Sequence, residues 1–380
     1  MPSAVRSSSK INLGLAIGPP RPDGFHSLIT LYQTLALHDL VTVSARPAPK
    51  TRIQLTSNDP RVPRDARNTA WKMVAKTLDH LGLTATVNLR IQKNLPIQGG
   101  MGAGSANAAA TLIGLERELS LNIPAETRLK LAAEVGSDVP LFLIGGSVLG
   151  SDRGQIVTPA ADVTLAANSQ IPCVIALPDV GVSTPQAFRD WDALLTSQST
   201  TQFTPDLHNP PKPDTLKQLS HTYASVFHQE GDQSKSGASG IFPDPSPAQP
   251  MAQQANPEKL QELSGEQLHP APSEGKSGFE IDLAENSLLA LVRTGIENDF
   301  ETVVFPQYPR LREIKRHLMG SQENAAVYCA LSGSGSALFG LYRSTADAEA
   351  AQQRLQQHGV KAIVTSTMPR PLYWSNMFAE

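Results

Sequence analysis

Residues 88–119 read NLRIQKNLPIQGGMGAGSANAAATLIGLEREL, and the organisation of the chain can be built outward from them. Apolar and polar side chains alternate at the start, with Val87, Leu89 and Ile91 at the period of a half-buried strand. Pro96 and a run of glycines follow. Behind them, four apolar side chains share one helical face: Ala108, Leu112, Leu115 and Leu119. The pattern predicts a strand, a glycine loop and a helix in that order.

The glycine loop has the composition of an anion-binding site. Glycine adopts positive φ and lets a ligand approach the backbone, and a helix N-terminus presents free N–H groups with a positive dipole end. The flanking strand and helix favour phosphate as the ligand, although a glycine-rich stretch can also be a plain tight connection. No Lys-Ser or Lys-Thr pair closes the loop, which excludes a Walker A motif, and the spacing is not a dinucleotide fingerprint.

Length and charge limit the class of protein. A chain of 380 residues is long enough for two cores, and a net charge of −3 gives no basic excess for nucleic acid or an anionic membrane. No apolar run is long enough to span a bilayer, and no signal peptide is expected at the N-terminus. Cys173 and Cys329 lie in apolar, strand-like runs, which predicts two buried thiols and a reducing, cytoplasmic compartment.

The N-terminal part predicts strands around an exposed turn. Lys10 opens the first strand, and the proline-rich turn at residues 18–26 ends at His26. Taken alone, the two side chains fit surface positions, one as a solvated strand-end lysine and the other as a loop histidine. The predicted strands lie at residues 10–13, 27–37 and 39–45.

Asp138 follows a predicted helix at residues 125–135 and stands before the apolar segment PLFLI. One interpretation is structural: its carboxylate caps the next helix, with Pro140 near the first turn. The other is functional, because a carboxylate between apolar runs needs a reason. The local sequence by itself favours the cap.

The second half predicts an α+β arrangement. We place the domain boundary near residue 165, so that residues 1–165 and 166–380 form two domains. Helices alternate with strands after residue 281, which is typical of a split βαβ domain. The predicted elements are helices at 288–301, 309–318 and 344–358 and strands at 327–331, 337–342 and 360–365. The second glycine loop, SGSGS at 332–336, is either a plain hairpin turn or a segment that crosses the interdomain cleft.

Residues 229–278 are rich in Ser, Gln, Pro, Gly and Glu and contain few large apolar side chains. Such a segment cannot bury enough surface to offset its ordering entropy, which predicts a disordered insertion. Gly275-Lys276-Ser277 inside it is not a Walker A loop, because Pro270 stands where the first glycine is required and no strand precedes it.

Several blocks, in order, resemble the GHMP kinase family: KINLGLAIGPPRPDGFHSL from residue 10, LPIQGGMGAGSANAA from 95, GSDVPLFLIGG from 136 and LSGSGSALFG from 331. The first block is the specific one and resembles the members of the non-mevalonate (MEP) isoprenoid pathway. The resemblance implies a two-domain GHMP kinase fold, with a ribosomal-S5-like N-terminal domain and a ferredoxin-like C-terminal domain. It also implies transfer of the ATP γ-phosphate, with Mg²⁺, to the 2-hydroxyl of 4-CDP-2-C-methyl-D-erythritol by a monomer or homodimer.

The resemblance also implies residue roles. Asp138 matches the base that takes the proton of the substrate hydroxyl, and Lys10 matches the lysine beside it. Phe25 and Phe188 match aromatic positions that sandwich the cytosine, which His26 hydrogen-bonds. The implied substrate-site positions are Asn12, Phe25, His26, Pro185 and Phe188. The implied ATP-site positions are Asn68, Lys93, Pro96, Gly99, Gly100, Gly102, Gly104 and Ser105, and Ser105 is also the candidate magnesium ligand.

The sequence departs from the family pattern in and near the loop. Gln98 and Ala103 stand where glycine is common, so their Cβ atoms predict a shift of the loop. Ala106 stands where a second serine is common, and its missing hydroxyl predicts the loss of a nucleotide or magnesium contact. Phe25 replaces a frequent tyrosine and keeps the stacking face without the hydroxyl.

Two other functions are compatible with the motifs. One is another GHMP small-molecule kinase, of the homoserine or mevalonate type, whose substrates have no base for Phe25, His26 and Phe188 to bind. The other is a catalytically inactive homologue that binds ligand, against which the intact Lys10 and Asp138 argue.

Overall fold

A computed structural model describes residues 1–97, 99–200, 286–321 and 323–379. The predicted insertion at 229–278, with its Gly275-Lys276-Ser277 sequence, and Gln98 lie outside the described residues. The disorder predicted for the insertion and the loop shift predicted for Gln98 therefore stay predictions.

Strands and helices alternate along the described residues in an α+β pattern. The strands are β1 (Ser3–Pro20), β2 (His26–Pro47), β3 (Arg52–Ser57), β4 (Ala85–Gln92), β5 (Ser147–Ser151), β6 (Ile156–Pro159), β7 (Pro172–Leu177), β8 (Tyr328–Leu331), β9 (Leu338–Leu341), β10 (Lys361–Ser366) and β11 (Phe378–Ala379). The α-helices are α1 (Thr69–His80), α2 (Ala103–Leu119), α3 (Ala125–Val135), α4 (Thr184–Thr200), α5 (Ser287–Arg293), α6 (Phe300–Gln307), α7 (Pro309–Met319), α8 (Thr345–Gln357) and α9 (Arg370–Ser375). A 3₁₀ helix spans Pro140–Leu143.

The first sheet is built on two long strands. Its described part has seven strands, in the order β11-β1-β2-β4-β3, and β5 and β6 continue from β2. β1 and β2 are antiparallel, whereas β3 and β4 are parallel. The segments predicted as separate strands at 27–37 and 39–45 are the single strand β2, because the chain runs through residue 38 without a turn. β3 was not predicted.

Helix α2 packs on β1 and β2, and its apolar face supplies the buried side chains Leu112 and Leu115. Gly114 makes this close approach possible. A Cβ at Gly114 would lie 2.6 Å from Cγ2 of Val43 on β2. α1 packs against α2, and α3 packs against α1.

The second sheet has four antiparallel strands in the described residues, in the order β10-β7-β9-β8. It shares a hydrophobic core with the first sheet, because Ile11 and Leu31 cluster with Cys173 and Phe339. Both cysteines, Cys173 and Cys329, are free and buried, which confirms the predicted thiols. The domain boundary near residue 165 stays a prediction.

The predicted helix at 288–301 is wrong, because α5 ends at Arg293 and α6 begins at Phe300. Gly295 has a φ of +76°, which ends the first helix. The side chain of Asn298 then donates hydrogen bonds to carbonyls of the second glycine loop and of β8, which hold residues 294–299 as a loop.

Gly114→Ala tests the packing of α2 on the sheet. Helix propensity alone would stabilise the variant by about 1 kcal/mol. The contact with Val43 reverses that sign, because overpacking of a core costs roughly 1–3 kcal/mol. Calorimetric unfolding of the ligand-free protein should give a lower Tm. Gly104→Ala in the same helix is the control, since its added Cβ meets Thr69 Oγ1 at an ordinary 3.4 Å. An unchanged or higher Tm for Gly114→Ala would refute the packing.

Candidate functional site

Cavities lined by described residues open on both sides of the first glycine loop. One, of about 740 Å³, is lined by residues that include Lys93, Pro96 and Gly99, and we call it the first cavity. Another, of about 640 Å³, is lined by residues that include Gly100 and Asp138, and we call it the second cavity. Adjacent glycines therefore face different cavities, and the loop is the wall between them.

The conformation of this loop requires glycine. Gly99, Gly100 and Gly102 have φ values of +127°, +75° and +70°. A Cβ at Gly100 would lie 2.0 Å from the carbonyl oxygen of Ser332, and one at Gly102 would lie 2.9 Å from the Phe142 ring. The loop is thus fixed between the second glycine loop and the 3₁₀ segment.

Helix α2 begins at Ala103, directly after the loop, and its N-cap Gly102 provides no side-chain cap. Its first-turn N–H groups have no intrahelical partner and are available to an anion. Gly104 lies in this first turn, where Thr69 Oγ1 donates to its carbonyl oxygen over 2.6 Å. The half-buried Ser105 hydroxyl lies beside Gly136, since a Cβ built on Gly136 would be 3.9 Å from Ser105 Oγ.

The two alanines that depart from the family pattern are buried. Ala103 lies in the core shared by the two sheets, and Ala106 lies in the apolar cluster that includes Phe142. A hydroxyl at position 106 would therefore enter apolar packing, where a serine would need an internal partner.

The structure brings Lys10 and Asp138 together. Lys10 lies on β1, and its residue surface is 2% exposed. Its ammonium is 3.6 Å from the Asp138 carboxylate and donates to the side-chain oxygen of Asn12 over 2.6 Å. Asn12 in turn donates to Thr30. Burial lowers the pKa of Lys10, and the charge of Asp138 and its hydrogen bond partly offset that effect. The solvated strand-end position is therefore wrong for Lys10.

The predicted helix cap at Asp138 is also wrong. The N-cap of the 3₁₀ helix is Val139, with no side-chain cap bond. The Asp138 carboxylate instead accepts a hydrogen bond from the Tyr32 hydroxyl over 3.1 Å, and its side chain is 34% exposed. Burial, followed by the Asp138 charge, raises the pKa of Tyr32 well above its ordinary value, so that the hydroxyl stays protonated as a donor.

Sequence reasoning missed Tyr32. A signal was available, because a tyrosine in a buried strand usually needs a partner for its hydroxyl. The partner could not be named from sequence, since Asp138 lies 106 positions away.

Aromatic side chains gather at the far end of the second cavity. Phe25 is 51% exposed, whereas His26 is 7% exposed and is not the surface histidine of the simpler interpretation. The His26 ring stacks on Phe188 at 4.7 Å, and its Nε2 lies 2.7 Å from a carboxylate oxygen of Asp192. Pro185 and Phe188 come from α4 and line the same cavity. One face of Phe188 is thus already covered by imidazole, and the cytosine sandwich stays a prediction.

The two side chains predicted near the nucleotide are both engaged by the fold. Lys93 lines the first cavity, and its ammonium forms a buried ion pair with Asp39. Asn68 caps α1 by accepting from the Ala70 N–H over 2.9 Å, and it donates to the carbonyl oxygen of Pro63. Asn68 is not among the described residues that line the first cavity.

The second glycine loop is a hairpin connection that also contacts the first glycine loop, and a crossing of an interdomain cleft stays a prediction, like the domain boundary. It joins the antiparallel strands β8 and β9, and it also contacts the first loop, because Ser332 Oγ donates to the Gly100 carbonyl oxygen over 3.1 Å. Ser334 Oγ lies 2.6 Å from Thr184 Oγ1 at the start of α4. The loop thus connects the first glycine loop to the helix that carries Phe188.

Family models match two parts of the chain. The model described as GHMP kinases N terminal domain matches residues 68–146, and the one described as GHMP kinases C terminal matches residues 281–361. A solved 4-(cytidine 5'-diphospho)-2C-methyl-D-erythritol kinase is 21% identical, with a TM-score of 0.58 over 96% of this chain and 98% of that chain. A homoserine kinase from Cytophaga hutchinsonii is 18% identical, with a TM-score of 0.59 over 97% and 95%. The fold is that of the GHMP kinases, as predicted.

Relatives with assigned names show which family of GHMP kinases the chain belongs to. A 4-diphosphocytidyl-2-C-methyl-D-erythritol kinase of Solibacter usitatus is 31% identical over 89% of this chain and 81% of its own length. Similarly named proteins of Nocardioides sp. and Rhodococcus jostii are 39% and 41% identical over 50% and 51% of this chain. The matches span 63% and 60% of those two relatives, under two thirds of each. The chain belongs to the 4-diphosphocytidyl-2-C-methyl-D-erythritol kinase family.

The described residues contain neither a membrane-spanning helix nor a cluster of metal-binding side chains. No helix in these parts of the chain is long and apolar enough to cross a membrane. No group of three or more His, Cys, Asp or Glu side chains in the same parts is placed to hold a metal ion.

Tyr32→Phe tests the hydrogen bond to Asp138. A hydrogen bond to a charged group contributes about 1.5 kcal/mol or more, so kcat should fall at least about tenfold while both KM values change little. Steady-state kinetics in a coupled ADP-release assay would measure the change. Tyr342→Phe is the matched control, because that hydroxyl donates to the Leu318 carbonyl oxygen inside a hydrophobic cluster that also contains Leu338, and its loss should affect stability alone. A Tyr32→Phe enzyme with normal kcat would show that the Tyr32 hydroxyl does not contribute to turnover.

Proposed function

We propose that the protein is an ATP-dependent kinase that phosphorylates the 2-hydroxyl of 4-CDP-2-C-methyl-D-erythritol. The observation that carries the proposal is the pair of the buried Lys10 and the partly exposed Asp138, which lies at the glycine-loop wall between two cavities. Phosphoryl transfer requires the donor nucleotide and the acceptor alcohol to meet. Ligands in the two cavities would meet at the loop that separates them. The family gives the substrate class, and the aromatic end of the second cavity supports it.

ATP occupies the first cavity with its triphosphate toward the loop. Pro96, Ile97 and Leu177 offer apolar walls to the adenine, and Lys361 places positive charge in the same cavity, whereas the charge of Lys93 is paired with Asp39. The positive-φ glycines and the N-terminus of α2 bind the phosphates through backbone N–H groups. Catalysis of phosphoryl transfer consists mainly of positioning and charge stabilisation, which this arrangement provides.

The acceptor hydroxyl lies between Asp138 and the γ-phosphate. The Asp138 carboxylate takes the hydroxyl proton as the oxygen bonds to the γ-phosphorus and the bond to the β-phosphate oxygen breaks, releasing ADP. The Lys10 ammonium stabilises negative charge on the transferred group. Tyr32 and Lys10 hold the carboxylate from two sides, so that its free lone pairs face the acceptor.

The Ser105 hydroxyl and the phosphates of the nucleotide form a donor set that suits Mg²⁺, which does not require a cluster of carboxylates. Mg²⁺ keeps several waters and is commonly bound by one or two protein oxygens together with substrate phosphates. Ser105, at the start of α2 and beside Gly136, would supply a hydroxyl oxygen to it. When bound, the ion neutralises charge on the β- and γ-phosphates.

The nucleoside of the acceptor lies at the aromatic end of the second cavity. Phe25 offers an exposed ring face, and the His26 imidazole and the Phe188 ring provide a second aromatic surface. Homoserine and mevalonate have no nucleobase that could stack on this aromatic surface. The two free buried thiols fit a reducing, cytoplasmic compartment, in which we place the protein as a monomer or homodimer.

Substrate profiling with ATP tests the function directly. The enzyme should release ADP with 4-CDP-2-C-methyl-D-erythritol and not with homoserine or mevalonate, because the latter leave the aromatic end empty. Mass spectrometry should locate one added phosphate on the 2-hydroxyl. Turnover of mevalonate or homoserine, with none of the cytidyl substrate, would overturn the assignment.

Asp138→Asn tests the base. Amide replaces carboxylate at nearly constant shape, so both ligands should bind normally while kcat falls by about 10²–10⁴-fold. Calorimetric binding and single-turnover kinetics separate the two effects. Asp190→Asn is the control, because Asp190 accepts from Gln307 and does not line the second cavity among the described residues. Near-normal kcat in Asp138→Asn would exclude Asp138 as the base.

A further inference from the structure

Arg153 lies at the tip of the β5–β6 hairpin and lines the second cavity. The centre of its guanidinium is 4.7 Å from the centroid of the Phe25 ring, in cation–π contact. The contact is made at the mouth of the cavity, because Phe25 is half exposed there. Neither the implied roles of the family nor the reaction described above uses this side chain.

The Arg153 guanidinium is incompletely satisfied. Its Nε is buried and has no hydrogen-bond partner among the described residues. The other basic side chains of the cavity are engaged: Lys10 by Asn12, and Arg189 by the Gln186 side-chain oxygen at 3.2 Å and 2.5 Å. The side chain as a whole is half-buried, and no described residue accepts a hydrogen bond from its terminal guanidinium nitrogens either. A guanidinium without a protein acceptor in a ligand cavity indicates that a ligand provides the acceptor for those terminal nitrogens.

Arg153 lies between the aromatic end and the Asp138 end of the second cavity. Phe25 marks the aromatic end. On the other side, Gly154 packs on Tyr32, since a Cβ at Gly154 would be 2.6 Å from the Tyr32 hydroxyl oxygen. That hydroxyl donates to Asp138, which marks the catalytic end. Arg153 therefore lies between Phe25, which would bind the nucleobase, and Asp138, which would receive the hydroxyl proton.

The hairpin tip that presents Arg153 is held in place. Asp152, with a φ of +63°, forms an ion pair with Arg21, and its carbonyl oxygen accepts from the Leu28 N–H over 2.5 Å. The Arg153 N–H donates to the Gln155 side-chain oxygen over 2.9 Å. These contacts fix the backbone of Arg153 to the loop that carries Phe25.

We propose that Arg153 binds the diphosphate that joins the nucleoside to the acceptor alcohol, and that it thereby determines substrate specificity. The proposal rests on the proposed function. In a nucleoside-diphosphate-linked alcohol, the diphosphate lies between the base and the reacting hydroxyl, and Arg153 has the same place between Phe25 and Asp138. A guanidinium presents a planar set of donors that matches phosphate oxygens. Small alcohols without a diphosphate leave Arg153 unpaired and are disfavoured.

Calorimetric binding of CDP and of cytidine to the full chain tests the proposal without turnover. Arg153→Met keeps the apolar stem and removes the charge, so the Kd of CDP should rise about tenfold or more. The Kd of cytidine, which has no phosphate, should change less than about twofold. Arg153→Gln is a second variant with the same expectation, and unchanged Tm values verify folding. Arg310→Met on α7 is the control, because Arg310 lies outside the cavity and bonds Glu313.

Kinetics on the same variants give the second readout. The KM of the cytidyl acceptor should rise in parallel with the Kd of CDP, and the KM of ATP should stay constant. Equal losses for cytidine and CDP would overturn the proposal, because they would show that Arg153 only supports Phe25. An increase in the KM of ATP alone would overturn it in favour of the nucleotide phosphates. Failure of the proposed function has a different signature, namely a wild-type protein that does not phosphorylate the cytidyl acceptor.

Discussion

The burial of the Lys10 ammonium is the constraint on which the rest of the site depends. A charged group removed from water costs several kcal/mol unless it is paired and hydrogen-bonded. Lys10 is 2% exposed, and the fold supplies Asn12 from its own strand and Asp138 from the start of the 3₁₀ segment. Tyr32 from β2 then bonds the Asp138 carboxylate. Three separate parts of the chain must be in register for the charge to be tolerated, and the same register places the proposed base beside the first glycine loop.

Sequence was sufficient where the physical cause is local. Within 32 consecutive positions, alternating apolar and polar side chains predict a strand, glycines predict a loop, and an apolar helical face predicts a helix. The structure has β4, the loop and α2 in those places. It was insufficient for Asp138, because local rules favour a cap when an acidic residue precedes Pro140. Lys10 and Tyr32, more than a hundred positions away, decide where the carboxylate points. Tertiary contacts also decide that His26 is buried.

The second glycine loop shows the same limit in the C-terminal half. A helix over 288–301 is reasonable from periodicity, but Asn298 satisfies the carbonyl oxygens of Leu331 and Gly333, which are over 30 positions away. This interruption has a structural consequence. It holds the SGSGS segment where Ser332 meets Gly100, at a distance that no Cβ on Gly100 would permit. The shape of the first glycine loop is therefore set jointly by both halves of the chain.

Helix α9 helps to explain how the partly exposed Asp138, the proposed base, can still be well positioned. Lys10 and Tyr32, which hold the Asp138 carboxylate, line the same cavity as Asp138, whereas other groups hold the backbone that follows it. Tyr373 donates to the Phe142 carbonyl oxygen over 2.6 Å, and Trp374 Nε1 donates to that of Ile144 over 2.9 Å. Gly145, with a φ of +72°, admits the Tyr373 ring so closely that a Cβ would lie 2.2 Å from it. Because α9 holds the backbone of the 3₁₀ segment without lining the second cavity among the described residues, it leaves Asp138 open to that cavity, as the proposed function requires.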